Sequence, residues 1–594
     1  MFLTGDVTAN SEWPASNSPY VLPGQIAVHN GVILTVDSGS VVKPEAGIEV
    51  VGTLNAAGAV FTSFHDDSAA NDTDGDSGAT APAPGDWGPI SFDPGNANDQ
   101  NIAGGTGTLT GDVFKYGGKL DNGYYDEGEI FVNDNYYNPS TGQVTAATPV
   151  SISGSTVSYS QGSGIYVWSG NPSVHYDDIF ANSIRGITNQ GAIGYNTTQS
   201  SGSNLDLTHN YWGSKHGPKP YGFGNGFNGP DVIAPWSRIP FTGAGAAYQA
   251  SLGMKDYCAV CGDPINTATG AFVYQHTDVK VPTKGVPLEF DRTYNSNDAS
   301  DGDLGFGWSY NWQISVNPLA NGNVTVLRGD GSQDVFTLNP DGSYSPPSLG
   351  VHDTLVRNAD GTFKLTTKDQ ITYNFDLNNE LASEVSEAGQ STAFAYNANL
   401  QLTAITEPAG RSLSLVHDAL TGRITQITDP NGKTIAFAYS AAGDLTSVTD
   451  QNGGTTKFAY DTNHHITGVT DADNHTQANN TYDATGKVTS QTDAEGKLIT
   501  FTYDTTNYVT TMTRQMDPND HSKDQTTTFY YDSQYRLIKE TDPYGKSTTY
   551  TYDAAGDRDT VTDRRGTITK QLYDPSGNIT DIYKAYGLPG QEHT

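Results

Sequence analysis

The sequence predicts an all-β protein, with an N-terminal parallel β-helix followed by a curled sheet of antiparallel β-hairpins. Three observations carry that reading. Turn-forming sequences recur every ten or eleven residues through the C-terminal part, aromatic residues stand two apart in the runs between them, and the N-terminal part alternates short apolar runs with glycines. Composition agrees: 66 Gly and only 4 Met in 594 residues suit turn-dense β-structure and not helical bundles.

From about residue 376 one unit repeats. Its marker position falls at 376, 397, 418, 440, 461, 483, 504, 532, 553 and 574, so successive steps are 21 or 22 residues, with one of 28 between 504 and 532. A second turn, Asp429 to Gly432, Asp450 to Gly453, Asp542 to Gly545 or Asp563 to Gly566, lies between successive markers. Aspartate accepts hydrogen bonds from turn amides, and glycine tolerates the left-handed conformation that closes a hairpin. Each repeat is therefore one hairpin of two strands, about six or seven residues each. The pairs Phe394/Tyr396, Phe437/Tyr439, Phe458/Tyr460, Phe501/Tyr503, Phe529/Tyr531 and Tyr550/Tyr552 each share one face, because strand side chains alternate. Stacked hairpins then build an aromatic ladder, and about twenty strands at ~4.8 Å spacing must curl under their own twist.

The N-terminal part reads as coils of a solenoid. Apolar runs such as Val32–Val36, Ile48–Leu54, Ala59–Phe61, Gly164–Val167 and Ser173–Tyr176 are separated by sharp turns, the rhythm of strands that bury one another's inner faces. The expected organisation is a parallel β-helix over 1–240, a linker over 241–261, a pre-repeat β domain over 262–375 and the hairpin sheet over 376–594. Trp308 and Trp312 are large enough to plug the open end of that sheet.

The C-terminal repeat, with Thr-Asp-Ala-Glu-Gly-Lys at 492–497 and Phe501-Thr-Tyr503-Asp504, resembles the Rhs/YD-repeat family. The resemblance implies a ribbon of hairpins forming the wall of a hollow shell, which can house a C-terminal polypeptide. Residues 262–312, with Arg292-Thr-Tyr-Asn295 and Gly305-Phe-Gly-Trp308, resemble the domain that precedes such repeats. Gly85-Asp-Trp-Gly88 and Asn210-Tyr-Trp-Gly213 resemble segments of right-handed, pectate-lyase-like β-helices.

Charge narrows the partners. Lys and Arg total 31 against 66 Asp and Glu, a formal net charge of −35, which repels phosphate backbones and makes nucleic acid an unexpected partner. No apolar run approaches a membrane span of about 18 residues. Met1 to Asp6 lacks the features of a secretory signal, so an export signal is expected upstream or export follows another route.

Few residues suggest chemistry. Asp177 and Asp178, adjacent on a strand, would point to opposite faces and are expected in a solvated turn, with no catalytic role. Asp72, Asp74 and Asp76 stand two apart around Gly75, the spacing with which calcium loops gather oxygen ligands. Cys258 and Cys261 lack the further ligands of a zinc site and suggest a local disulfide or free thiols. No cofactor is expected beyond calcium. The chain is therefore read as a non-catalytic, secreted or cell-surface structural or adhesion module. The alternatives are the carrier portion of a Rhs-type toxin and a β-helix protein that binds or processes carbohydrate. Expected partners are carbohydrate, another chain at the open sheet edge, or an encapsulated polypeptide.

Overall fold

The computed structural model describes residues 1–70, 73–92, 105–119, 128–133, 135–138, 143–146, 150–189, 205–213, 215, 218, 227–228, 231, 233–238, 260–261 and 264–594. Asp72, Cys258 and most of the expected linker lie outside these residues. The chain divides into two compact units, Met1–Gly243 and Ala244–Thr594.

In the first unit each coil contributes three short strands, and equivalent strands of successive coils pair in parallel, giving sheets of six, six and seven strands. The register places like residues above one another. Ile26, Ile48, Ile90, Ile130, Ile165 and Ile187 form one unbroken column, and none is more than 2% exposed. A second column runs through Ala56, Leu109, Ile152 and Val174. A third passes from Phe61 to Phe114, whose rings stack at 5.0 Å, and on to Val157 and Ile179. Branched and aromatic side chains fit a pleated surface whose neighbours lie one strand spacing away.

The second unit starts with a five-stranded sheet whose longest members, Ala271–Val281 and Leu288–Asn295, pair antiparallel. A four-stranded sheet follows over residues 315–345. From Thr354–Arg357 onward the chain forms one antiparallel sheet of 23 strands in simple sequence order. The repeat pattern shows in the burial. Strand Thr434–Tyr439 buries Ile435 and Phe437 on one face and exposes Thr434, Ala436 and Ala438 on the other, while Leu445–Thr449 buries Leu445 and Val448.

The sheet curls until it meets itself. Gly350, just ahead of the first strand, donates its amide to the carbonyl of Ala555 at 2.9 Å, in the turn after Ser547–Tyr552, the nineteenth strand in order. The earlier part of the unit fills the curl. Phe290, Tyr294, Trp308 and Trp312 share one core with repeat residues Phe394, Ile427, Phe437, Phe458 and Phe501. That filling stops at Leu537: strands Ser547–Tyr552, Arg558–Thr562, Ile568–Tyr573 and Ile579–Lys584 contain no buried residue.

Candidate functional site

The repeated Tyr and Asp have separate structural tasks. A register shift before most marker Tyr residues, as between Ala459 and Tyr460, bulges the strand, although Tyr503 pairs in unbroken register. The Tyr hydroxyl then reaches a backbone carbonyl fifteen residues earlier: Tyr396 donates to Leu381, Tyr503 to Val488 and Tyr573 to Arg558, at 3.0, 2.7 and 3.0 Å. The Asp that follows organises the turn. Asp461 Oδ1 accepts from the amides of Asn463 and His465 at 2.8 and 2.9 Å, which satisfies donors that the turn would otherwise leave unpaired. Cations lie over the faces of ladder rings: Arg423 over Tyr439 at 5.7 Å and Arg536 over Tyr552 at 4.6 Å. The periodic Tyr-Asp pairs are scaffold, and the ladder phenyl rings are buried and present no platform for stacking on sugars.

The fit between plug and sheet is polar as well as apolar. Trp308 Nε1 donates to the Tyr460 hydroxyl at 3.0 Å, and Trp312 Nε1 to Glu384 Oε2 at 3.1 Å. Tyr294 donates to the carbonyl of His464 at 2.9 Å and accepts from the amide of Ile466 at 3.1 Å. Arg423 Nη2 contacts both Asp301 oxygens, at 2.9 and 2.8 Å. Deepest lies Arg292, 1% exposed, bound through Nε to Asp278 at 2.8 Å and ringed by Tyr274, Trp308 and Phe458. A buried charge needs such a partner, because desolvation alone costs several kcal/mol.

Beside the plug, a cleft of about 550 Å³ is lined by Asp291, Asp330, Asp334, Asp353, Arg328 and His352. Arg328 spans it, contacting Asp353 at 2.6 Å and Asp334 at 2.8 Å. Its guanidinium is thereby committed to holding the walls together.

The acidic loop of the solenoid is only partly as expected. Asp72 lies outside the described residues, whereas Asp74 and Asp76 converge with Asp67, their carboxylate oxygens all within 4.8 Å. Asp67 was not foreseen because it is distant in the two-apart spacing; the loop folds back to bring it in. Asp74 also contacts His65 Nδ1 at 2.8 Å. Neighbouring Asp66 is held by Lys115 at 2.9 Å. Burial opposes ionisation of Asp66, but the Ser68 and Thr62 hydroxyls and Lys115 outweigh it and bring its pKa down to about 2. Three hard oxygen donors suit calcium.

Asp177 and Asp178 do not form a solvated turn: both are completely buried. Asp178 sits on a strand paired with Thr156, and Asp177 Oδ1 accepts the amide of Ser155 in the coil below at 2.7 Å. The side chain of Asp177 therefore links coils. Sequence reasoning missed this because the partner lies 22 residues away, in a column visible only once the coils are stacked.

A curled ribbon of hairpins packed round an internal plug defines a β-shell repeat protein. Residues 262–336 match a family described as "Domain of unknown function (DUF6531)", and residues 396–434, 439–476, 482–520 and 531–568 match the "RHS Repeat". The hairpin ribbon of this chain is thus built of RHS repeats. It is 34% identical over 156 residues to the tRNA nuclease WapA of Bacillus subtilis (strain 168), covering 26% of this chain and 7% of that protein. It is 28% identical over 200 residues to the probable deoxyribonuclease RhsB of Dickeya dadantii (strain 3937), covering 32% of this chain and 12% of that one. The match thus spans a small fraction of the length of these relatives. Among solved structures, TcdB2-TccC3 aligns with 51% of this chain and 17% of its own, at 15% identity and a TM-score of 0.29. No helix among the described residues is long and apolar enough to cross a membrane.

Proposed function

We propose that this chain is the non-catalytic scaffold of a secreted or cell-surface RHS-type toxin carrier. The plug closes one part of the curled sheet, and the hairpins beyond Leu537 supply wall for an enclosed polypeptide. The observation that carries this reading is the change in the inner face. Up to Leu537 that face is filled by apolar core, whereas the strands from Ser547 to Lys584 bury nothing. Their inward positions include Tyr550, Arg558 and Gln571, groups that suit a hydrated lumen better than a packed interior. The names of WapA and RhsB supply a class of passenger, a nuclease, carried by proteins that share this repeat. The acidic scaffold itself is a poor match for a phosphate backbone.

Passenger protection tests the proposal. A small, protease-sensitive polypeptide fused after Thr594 should survive a trypsin digestion that destroys it when free. Equal sensitivity of the fused and free passenger would remove the carrier reading and leave a purely structural scaffold.

A further inference from the structure

One column of the solenoid is polar. The side chain of each rung receives an amide from the coil below: Ala59 N–H donates to Asp112 Oδ1 at 2.8 Å, Asp112 N–H to Ser155 Oγ at 3.1 Å, Ser155 N–H to Asp177 Oδ1 at 2.7 Å, and Asp177 N–H to Asn210 Oδ1 at 2.9 Å. All four side chains are completely buried. At Asn210 the second side-chain atom is a donor, Nδ2 giving to the carbonyls of Val174 and Leu207 at 2.8 and 3.0 Å. Asn182, in a neighbouring column, behaves likewise, accepting from Ser160 and donating to Val157 O. At Asp112 and Asp177 the corresponding atom is Oδ2, buried and without a hydrogen-bond partner.

An aspartate in an asparagine's place can supply a donor there only as a carboxylic acid. Among the described residues no cation pairs with Asp112 or Asp177 to offset the cost of ionisation. The titratable groups facing Asp177 are Asp178 and Asp112, both acidic, with His175 two residues back turned to Thr208 O at 3.0 Å. Asp112 is faced by the amides of Ala59, Thr110 and Gly58, which favour its ionised form but are outweighed by burial, and by Ser155 above. Glu129, also fully buried, repeats the pattern: Oε1 accepts from Gly117 N–H at 2.9 Å and Oε2 has no partner.

We propose that Asp112 and Asp177 are rungs of carboxylic acid, which make the solenoid an acid-hardened module that loosens as the medium passes from mildly acidic to alkaline. Burial pushes the Asp112 carboxyl up to about 7 and drives Asp177 well above the usual carboxylate range. A carboxyl raised on folding binds more protons in the folded state than in the unfolded one. Stability is then fully present below pH 3.8, the unfolded value, and falls as pH rises towards and through the folded value. Glu129, raised by burial, adds in the same direction.

Hydrogen exchange of the whole chain at pH 5.5 and 8.5 tests the proposal, with intrinsic rates divided out. Protection of the Ala59 and Ser155 amides should fall about tenfold or more at the higher pH, since each unit of linked titration is worth tenfold. The Ile427 and Val448 amides of the RHS sheet serve as the internal reference and should hold within about threefold. In D112N/D177N, whose new amides copy Asn210, the fall should shrink to the residue left by Glu129. Should that variant not fold, infrared spectra of the natural chain replace it, with a protonated-carboxyl band present at pH 5.5 and weaker at pH 8.5. Unchanged protection across the two pH values, a fall undiminished in the double variant, or absence of the band would overturn the proposal.

Discussion

The hydroxyl of Tyr460 donates to the carbonyl oxygen of Leu445 at 2.8 Å, one hairpin back in the ribbon. The Tyr460 hydroxyl oxygen itself accepts from Trp308 Nε1 at 3.0 Å, so one side-chain atom joins two hairpins and the plug. Tyr460→Phe keeps the ring and leaves a buried indole N–H and a carbonyl unsatisfied. A loss of about 2–3 kcal/mol is expected, the usual range for stranded buried groups. Tyr573→Phe, whose hydroxyl serves Arg558 O at 3.0 Å outside the plugged region, should cost about 1 kcal/mol or less. Urea unfolding followed by plug tryptophan fluorescence measures both; equal losses would contradict the double role of Tyr460.

His417 replaces the ladder tyrosine in one repeat, and its two ring nitrogens both face carbonyls, Leu402 O and Gly422 O, each at 2.7 Å. A neutral imidazole has one N–H and serves one of them; only the imidazolium serves both. His417→Tyr keeps a donor for Leu402 O and removes the ring nitrogen lone pair that faces the other carbonyl, so it should stabilise the sheet by about 1 kcal/mol. A loss of stability in urea unfolding would refute the two-carbonyl account.

The hairpin ribbon was legible because its rule is local. Asp461 binds amides two and four residues ahead, and Phe458 and Tyr460 share a face through strand alternation alone. What escaped the sequence was contact between residues far apart. Nothing in the spacing of Asp177 reveals that its acceptor role belongs to Ser155 one coil below, so a buried rung looked like a solvated turn. Asp67 escaped the acidic loop for the same reason. The plug was half legible: the size of Trp308 and Trp312 foretold burial, but the repeats they would meet, at Tyr460 and Glu384, depend on how tightly the ribbon curls.

Convergence of Asp67, Asp74 and Asp76 gives the acidic loop a direct test. Three carboxylates within 4.8 Å repel one another, and a calcium ion relieves that repulsion while binding selectively to the folded state. Millimolar calcium should raise the solenoid melting transition, and Asp74→Asn should abolish the rise while leaving the RHS-sheet transition unmoved. Identical melts in calcium and in EDTA would strike the loop from the candidate metal sites.

Closure of the ribbon on itself rests on few groups, which makes it separable from the rest of the fold. His352 Nε2 meets Asp557 Oδ2 at 2.7 Å, with the two side chains 8% and 11% exposed. Beside them lies the Gly350 to Ala555 backbone bond. Gly577 supports the seam from beneath: its φ of +81° suits glycine, and a Cβ there would strike the His352 ring. Gly577→Ala should therefore push His352 off Asp557 and open the seam, while His352→Ala leaves Asp557 partly buried without its partner. Each should lower the local opening free energy by about 1–3 kcal/mol, read as faster hydrogen exchange at Gly350 and Asp557. Amides in the plugged repeats, such as Ile427 and Val448, should keep their protection, because the core that holds them does not pass through the seam. If those amides lost protection to the same degree, the seam and the plugged repeats would unfold together, and the ribbon would owe its curl to closure and not to the plug.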